Sequence, residues 1–353
     1  MEESVNKRFD FIGFIRGLPI ATTIIGAFFV LILVISLFYD FSLANLIGDS
    51  IQRFGMWGLF VLAMVPSIQS GTGPNFALPV GICAGLLSMI TAIEFGFTGI
   101  SLIIIAAIFA IIVGSVFGFI YGFLMNAVKG SEMAIATYTG FSITMLFCMI
   151  WMAVPFRSPN LGWFMGDGLR NLIALEPVGA DKILDNVLRF SFFGVDIPTG
   201  MLLVVFVACI FVWLFFRSKT GVSISAVDAN PVFATAAGIN VDRSRTIANI
   251  LSTVLAALGV IVYYQSFTFL QIYDAPLMMA FPAVAAVLVG GATAQRAKVI
   301  HVVIGAFLFQ GLLTTAPAVV DRIITADIVD PVRMTIQNGV ILYALTQLKG
   351  GAK

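Results

Sequence analysis

Two polar stretches carry most of the side chains able to grip, bind or relay in this otherwise apolar chain. The longer is Arg217–Arg245, RSKTGVSISAVDANPVFATAAGINVDRSR. Asn230 can cap a short helix, because its side-chain oxygen can accept an orphan backbone N–H. Pro231 suits the first helical position, where its missing N–H costs nothing. Val232–Ala237 spans roughly two turns at 3.6 residues each, and Gly238 can take the left-handed stop. Basic Arg217, Lys219, Arg243 and Arg245 flank the stretch. A capped, mildly apolar helix on a basic loop is suited to a partner's groove; an ordinary polar loop with an Asn-Pro turn is the plainer reading. The shorter stretch is Gln69-Ser70-Gly71-Thr72-Gly73-Pro74-Asn75, followed by Phe76. It is too polar and too rich in Gly and Pro to continue a helix. Such backbone is tolerated at membrane depth only inside protein or beside a watery cavity; a turn between two short spans is the alternative. Gln310 is a third polar point, set inside an apolar run.

Other chemistry is missing from the sequence. No Asp or Glu lies well inside an expected span; Asp40, Glu94, Glu132 and Asp274 stand at span ends. Intramembrane carboxylates usually serve proton or ion coupling, so an ion-driven secondary transporter is disfavoured. There is no HExxH motif and no Gly-Lys dipeptide, hence no P-loop. Neither a metal nor a cofactor is expected, and the chain does not read as an enzyme. Cys83, Cys148 and Cys209 all fall in apolar runs without a CxxC pair, which suits small buried hydrophobes.

The elements that position these groups are membrane spans. The 353 residues are 60% hydrophobic and 10% charged, against about 25% charged in soluble domains. Apolar runs predict ten spans near 19–39, 55–69, 75–93, 99–127, 133–154, 199–216, 246–265, 276–291, 299–317 and 332–348. The fold class is an all-α polytopic membrane protein, one transmembrane domain over 1–353. The first span is read as retained rather than cleaved. Segment 41–54 is too polar to span and is read as lying along the outer interface. With the N-terminus inside, the inner side holds Lys7, Arg8, Arg16, Lys129, Arg217, Lys219, Arg243, Arg245, Arg296, Lys298, Lys349 and Lys353. The outer side holds Arg53, Arg157, Arg170, Lys182, Arg189, Arg322 and Arg333. Twelve against seven favours cytoplasmic ends and a cytoplasmic 217–245 loop.

The outer loop 155–198 is either an interfacial anchor, through Trp163 and several Phe residues, or a cap over a pore mouth. Gly114, Gly118 and Gly122 recur at every fourth position, a small-residue face for close helix packing. Gly305 and Gly311 carry the same reading. Ala77-Leu78-Pro79 and Ala280-Phe281-Pro282 echo one another in the third span of each five-span half, pointing to an inverted five-plus-five repeat. Gln265 and Asn338 lie nearer span ends and are read as wet. His301 is read as a solvated histidine at a loop edge.

Segment 220–239, TGVSISAVDANPVFATAAGI, resembles the cytoplasmic coupling segment of bacterial ABC-importer permeases of the ribose and branched-chain amino acid type. Asn230, Pro231, Ala236, Ala237, Gly238 and Ile239 carry the match. Ala286-Val287-Leu288-Val289-Gly290-Gly291 matches a second motif of that family in the right order, and a weaker likeness spans roughly 55–348. Where the family has a Gly-Gly-Ile-Asp-Leu-Ser pattern, this chain has Ser70-Gly71-Thr72-Gly73-Pro74-Asn75 and lacks the acidic residue. The resemblance implies a dimer of permease subunits, homo- or heteromeric, two cytoplasmic ATPase subunits, and an external solute-binding protein. It implies a bacterial inner-membrane location and alternating access driven by ATP hydrolysed elsewhere. It assigns coupling to Asp228, Asn230, Pro231, Phe233, Gly238 and Ile239, with Phe233 as the apolar knob. Gln69, Ser70, Thr72, Asn75 and Phe76, with Gln310, are the expected pathway. Neutral polar groups beside an aromatic suit an uncharged polar solute, a sugar or nucleoside. A passive channel and a secondary transporter are the alternatives.

Overall fold

The computed structural model describes residues 19–39, 41–162, 169–323 and 329–350. Lys7, Arg8, Arg16, Asp40, Trp163 and Lys353, used above, lie outside these. In chain order the helices are α1 (Ile20–Ser36), α2 (Leu43–Leu62), α3 (Met64–Gln69), α4 (Leu78–Glu94), α5 (Gly99–Ala127), α6 (Glu132–Ala153) and α7 (Ile183–Asn186). Then come α8 (Thr199–Arg217), α9 (Lys219–Ala229), α10 (Pro231–Ala236), α11 (Val241–Phe267), α12 (Ala275–Val289), α13 (Val299–Ile323) and α14 (Val329–Gly350). Strands β1 (Leu172–Ala174), β2 (Phe190–Phe192), β3 (Val195–Ile197) and β4 (Phe269–Gln271) form two small antiparallel pairs, β1 with β4 and β2 with β3.

Each expected span has its helix, although α14, under the tenth, is not apolar enough to count as a membrane-crossing helix. Seven helices among the described residues are long and apolar enough to cross a membrane. Two more, α4 and α12, are apolar but only 17 and 15 residues long. At 1.5 Å per residue they reach about 26 and 22 Å, short of a roughly 30 Å hydrocarbon core. Both are buried along most of their length, and each meets irregular backbone at one end, Ser70–Ala77 before α4 and Gly290–Lys298 after α12. That is the setting in which non-helical backbone is tolerated at membrane depth.

One expectation fails. Segment 41–54 is not a separate interfacial piece but the first half of α2, running on to Leu62. Ser42 starts the helix by accepting from Asn45 N. Its polar residues have neighbours: Ser50 donates to Leu46 O, and Gln52 donates to the buried Asp185. The helix ends at Ala63, and Pro66 in α3 cannot supply the N–H that the Leu62 carbonyl would take.

The two halves match in length. α1 and α8 have 17 and 19 residues, α2–α3 and α11 27 each, α4 and α12 17 and 15, α5 and α13 29 and 25, and α6 and α14 22 each. The halves also exchange partners, since α11 packs most extensively on α5 and α2 most extensively on α13. This pairing supports the five-plus-five repeat. The three-residue echo does not mark its register: Pro79 opens α4, whereas Pro282 lies in the middle of α12.

Connections sort to two faces, as alternating spans require. On one, Lys129 bonds Asp242 at 2.5 Å, Gln69 reaches Ala297 O, and Thr22 reaches Val289 O. On the other, Glu94 accepts from Arg157 N and Ser158 N, and β1 pairs with β4. Residues 155–162 and 169–198 are pinned to this second face. Asp185 accepts from Gln52, Gln265 and Ser266, so Gln265 is fully buried and bonded rather than wet.

α11 is the centre. A Cβ on Gly118 would stand 2.7 Å from Ile250 Cα, and one on Gly122 2.9 Å from Thr246 Cα. From the other side, a Cβ on Gly85 would stand 2.3 Å from Ala257 O. The glycine face of α5 therefore does what its spacing predicts, and α4 adds a second such face.

Candidate coupling site

The 217–245 stretch folds into two short helices and a turn. Ser218 caps α9 by accepting from Gly221 N. At Asn230 the backbone is extended and the side chain accepts from Phe233 N at 3.0 Å, which starts α10 with Pro231 in its first turn. At the far end Ile239 N bonds Ala234 O and Gly238 N bonds Thr235 O, with Gly238 at φ 81°. That double bond is the Schellman stop, which needs a residue at ease in the left-handed region. Asn240 then caps α11 by accepting from Arg243 N. The caps at both ends fix the direction of α10: Ala234 faces inward and is buried, while Val232 and Phe233 are 80% and 68% exposed.

The segment is wired to the Ser70–Ala77 break. Ser225 donates to Gln69 Oε1 at 3.2 Å, and Gln69 Nε2 donates to Ala297 O at 2.5 Å. Gly71, at φ 73°, lies against Asp228; a Cβ there would stand 3.3 Å from Asp228 Oδ1. Burial pushes the Asp228 carboxyl up to about 6, with Arg296 pulling it the other way. Arg245 donates to Gly71 O and pairs with Glu132, whose other oxygen accepts from Gly130 N. A cavity of about 970 Å³ lies between break and coupling helix, lined by Ser70, Thr72, Asp228, Pro231, Thr235 and Arg245 among others.

The expected pathway set divides. Ser70 and Thr72 spend their hydroxyls in a cluster with Ser67, which also donates to Gly73 O, so the break staples itself. Asn75 lies farther along: Nδ2 donates to Ser252 Oγ at 2.8 Å, and Ser252 donates to Ala63 O. Phe76 packs on Phe281 with ring centroids 5.6 Å apart. Gln310 is not among them; it lines a separate cavity toward the opposite face. One residue escaped the sequence reading. Asn249 is fully buried, and neither amide atom has a partner among the described residues. Arg245, Asn249 and Ser252 follow at intervals of four and three, so they form one stripe of α11. Its two ends touch the break, through Gly71 and Asn75. The signal was an amide one turn inside a span, and a buried unpaired amide is costly enough to ask for a role.

A family model described as branched-chain amino acid transport system / permease component matches residues 20–345. Comparison with curated proteins and with solved structures finds no match.

Proposed function

Since the chain belongs to the family of branched-chain amino acid transport system permease components, we propose that it is the membrane-spanning subunit of an ABC importer, driven by ATP hydrolysed on separate cytoplasmic subunits. A second permease subunit completes the pathway, and an external binding protein delivers the solute. The membrane is the bacterial inner membrane, with both chain ends and the 217–245 segment in the cytoplasm. The solute is small and polar, a sugar or nucleoside.

One observation carries the reading. α10 shows Val232 and Phe233 to the outside, while α9 beside it is bonded to the break through Ser225 and Gln69. A partner gripping Phe233 would push on Asp228 and Gly71, and so on the break itself. Asn230, Pro231 and Gly238 with Ile239 hold the helix at the angle that the push requires. Gln69, Ser70, Thr72, Asn75 and Phe76 are then the inner part of the pathway.

The test is Phe233→Asp. An exposed side chain contributes little to folding, so membrane level and melting temperature should hold while uptake and solute-stimulated ATPase activity fall at least tenfold. Uptake at the wild-type rate would refute the coupling role. Co-purification of the wild type with an ATPase and a binding protein tests the assembly.

A further inference from the structure

The second cavity, about 440 Å³, opens between α2, α11, α12, α13 and α14 near the face away from the coupling segment. That volume lies in the range of small-molecule sites. Its buried end holds Gln310, 3% exposed, whose amide nitrogen has no partner among the described residues. The neighbouring Thr314 hydroxyl is already spent on the Gln310 main-chain carbonyl at 2.8 Å. Trp57 and Tyr263, both buried, line one flank and meet edge to face with ring centroids 5.8 Å apart.

We infer that this cavity is the permease's own solute site, and that it takes a small uncharged solute with a flat unsaturated ring and one hydrogen-bonding edge, of the nucleobase or nucleoside kind. The ring lies against Trp57 and Tyr263, and its edge meets Gln310. This rests on the reading of the chain as a permease and narrows the solute class.

Three features select that chemistry. First, the exposed end carries both signs of charge. Arg53 follows Asp49 by one turn on α2, Arg333 has Asp330 at 3.5 Å, and Asp274 lines the mouth, so neither sign alone marks the opening. Second, the buried end offers aromatic surface and a single free amide. A flat ring presents an apolar face and a polar edge, which fits that division. A free sugar would turn hydroxyls onto the Trp57 and Tyr263 faces, where they find no partner, while Arg53, Gln271, Asp274, Arg333 and Gln337 line the rest of the cavity. Third, an amide offers a donor and an acceptor together, the pattern that complements the edge of a base. A nucleoside's ribose would stay at the exposed end.

The experiment is saturation-transfer NMR on the purified full chain in nanodiscs, with inosine, D-ribose and L-leucine as separate probes. The base protons of inosine should take up saturation most strongly, and the other two probes should show none at equal concentration. Gln310→Leu should weaken inosine at least tenfold without lowering the melting temperature, because leucine fills the place of an amide that bonds nothing. Absence of inosine saturation overturns the proposal. So does equal saturation by ribose or leucine, or a Gln310→Leu protein that melts lower and still binds inosine. No ATPase takes part, so these results are independent of coupling: the Phe233→Asp protein should bind inosine like the wild type even if its transport phenotype contradicts the permease mechanism.

Discussion

Breaking the Arg245–Glu132 pair is the sharpest stability test of the coupling face. The two side chains are only 7% and 16% exposed, and they join the start of α11 to the start of α6. Two unit charges about 4 Å apart attract by about 4 kcal/mol at an effective dielectric near 20. Removing one partner of such a buried pair typically costs about 3–5 kcal/mol, because the other charge stays buried alone. Glu132→Leu leaves Arg245 with the Gly71 carbonyl only. Arg245→Met leaves Glu132 with the Gly130 N–H only. Removing both charges together, in Arg245→Met with Glu132→Leu, should recover most of the loss. At roughly 2 °C per kcal/mol for a chain of this size, each single variant should melt about 6–10 °C lower and the double variant within about 3 °C of wild type. The assay is thermal unfolding of the four proteins in one detergent, read as a double-mutant cycle. Single variants that melt like the wild type, or losses that simply add, would refute the claim that a buried, coupled pair holds this face.

Two further outcomes follow from the same geometry. The folded Asp228 carboxyl, raised to about 6 from its ordinary 3.8, keeps a proton between those values that the unfolded chain has lost. Its contribution to stability therefore falls as pH rises through that window; Asp228→Asn should melt above wild type at pH 7.5, and the gap should close by pH 4. Parallel melting curves across that range would contradict this. Gly118→Leu should melt well below wild type or fail to accumulate, since its Cβ would stand 2.7 Å from the Ile250 backbone. Gly114→Ala, with its nearest contact at 3.3 Å, should be far milder; equal melting of the two variants would count against close α5–α11 packing.

The fold was largely legible because membrane spans announce themselves by length and apolarity. The caps on α10 were legible too, because Asn230, Pro231 and Gly238 act through their own backbone. The first half of α2 was not: Asn45, Asp49, Gln52 and Arg53 make its composition polar, and the bonded partner of Gln52 lies far off in the chain. Gln52 meets Asp185 across 133 positions. Asn75 meets Ser252 across 177, and local pattern holds no trace of such a contact. The same gap explains Gln265. Its nearness to a span end suggested water, but the folded segment around Leu184 and Asp185 covers it. Asn249 was visible as an amide inside an apolar run, yet only the packing of α11 against the break gives it meaning.

The packing also limits how such a permease can move. α4, α5 and α11 meet through glycines so closely that backbone touches backbone, which leaves no side-chain slack for sliding. α12 and α13 are clasped in the same way: a Cβ on Gly305 would stand 1.9 Å from Ala286 O, and one on Gly290 1.8 Å from His301 O. We therefore expect two rigid blocks. α12 also packs on α4, and α2 bridges α11 and α13; where the blocks meet at the break the contacts are of another kind, among them a ring pair at Phe76 and Phe281 and a hydrogen bond from Gln69 to Ala297 O. The cavity holding Gln310 lies along the same division, with Tyr263 of α11 on one side and α12 and α13 on the other. On the proposed coupling role, a push at α10 would reach this joint through Ser225 and Gln69 before it reached either block's interior. Rocking at the joint can open the break while closing the far cavity, which is the geometry that alternating access needs. Were Gly118→Leu to pack without loss, α5 and α11 would not form one body, and the joint would have to lie elsewhere.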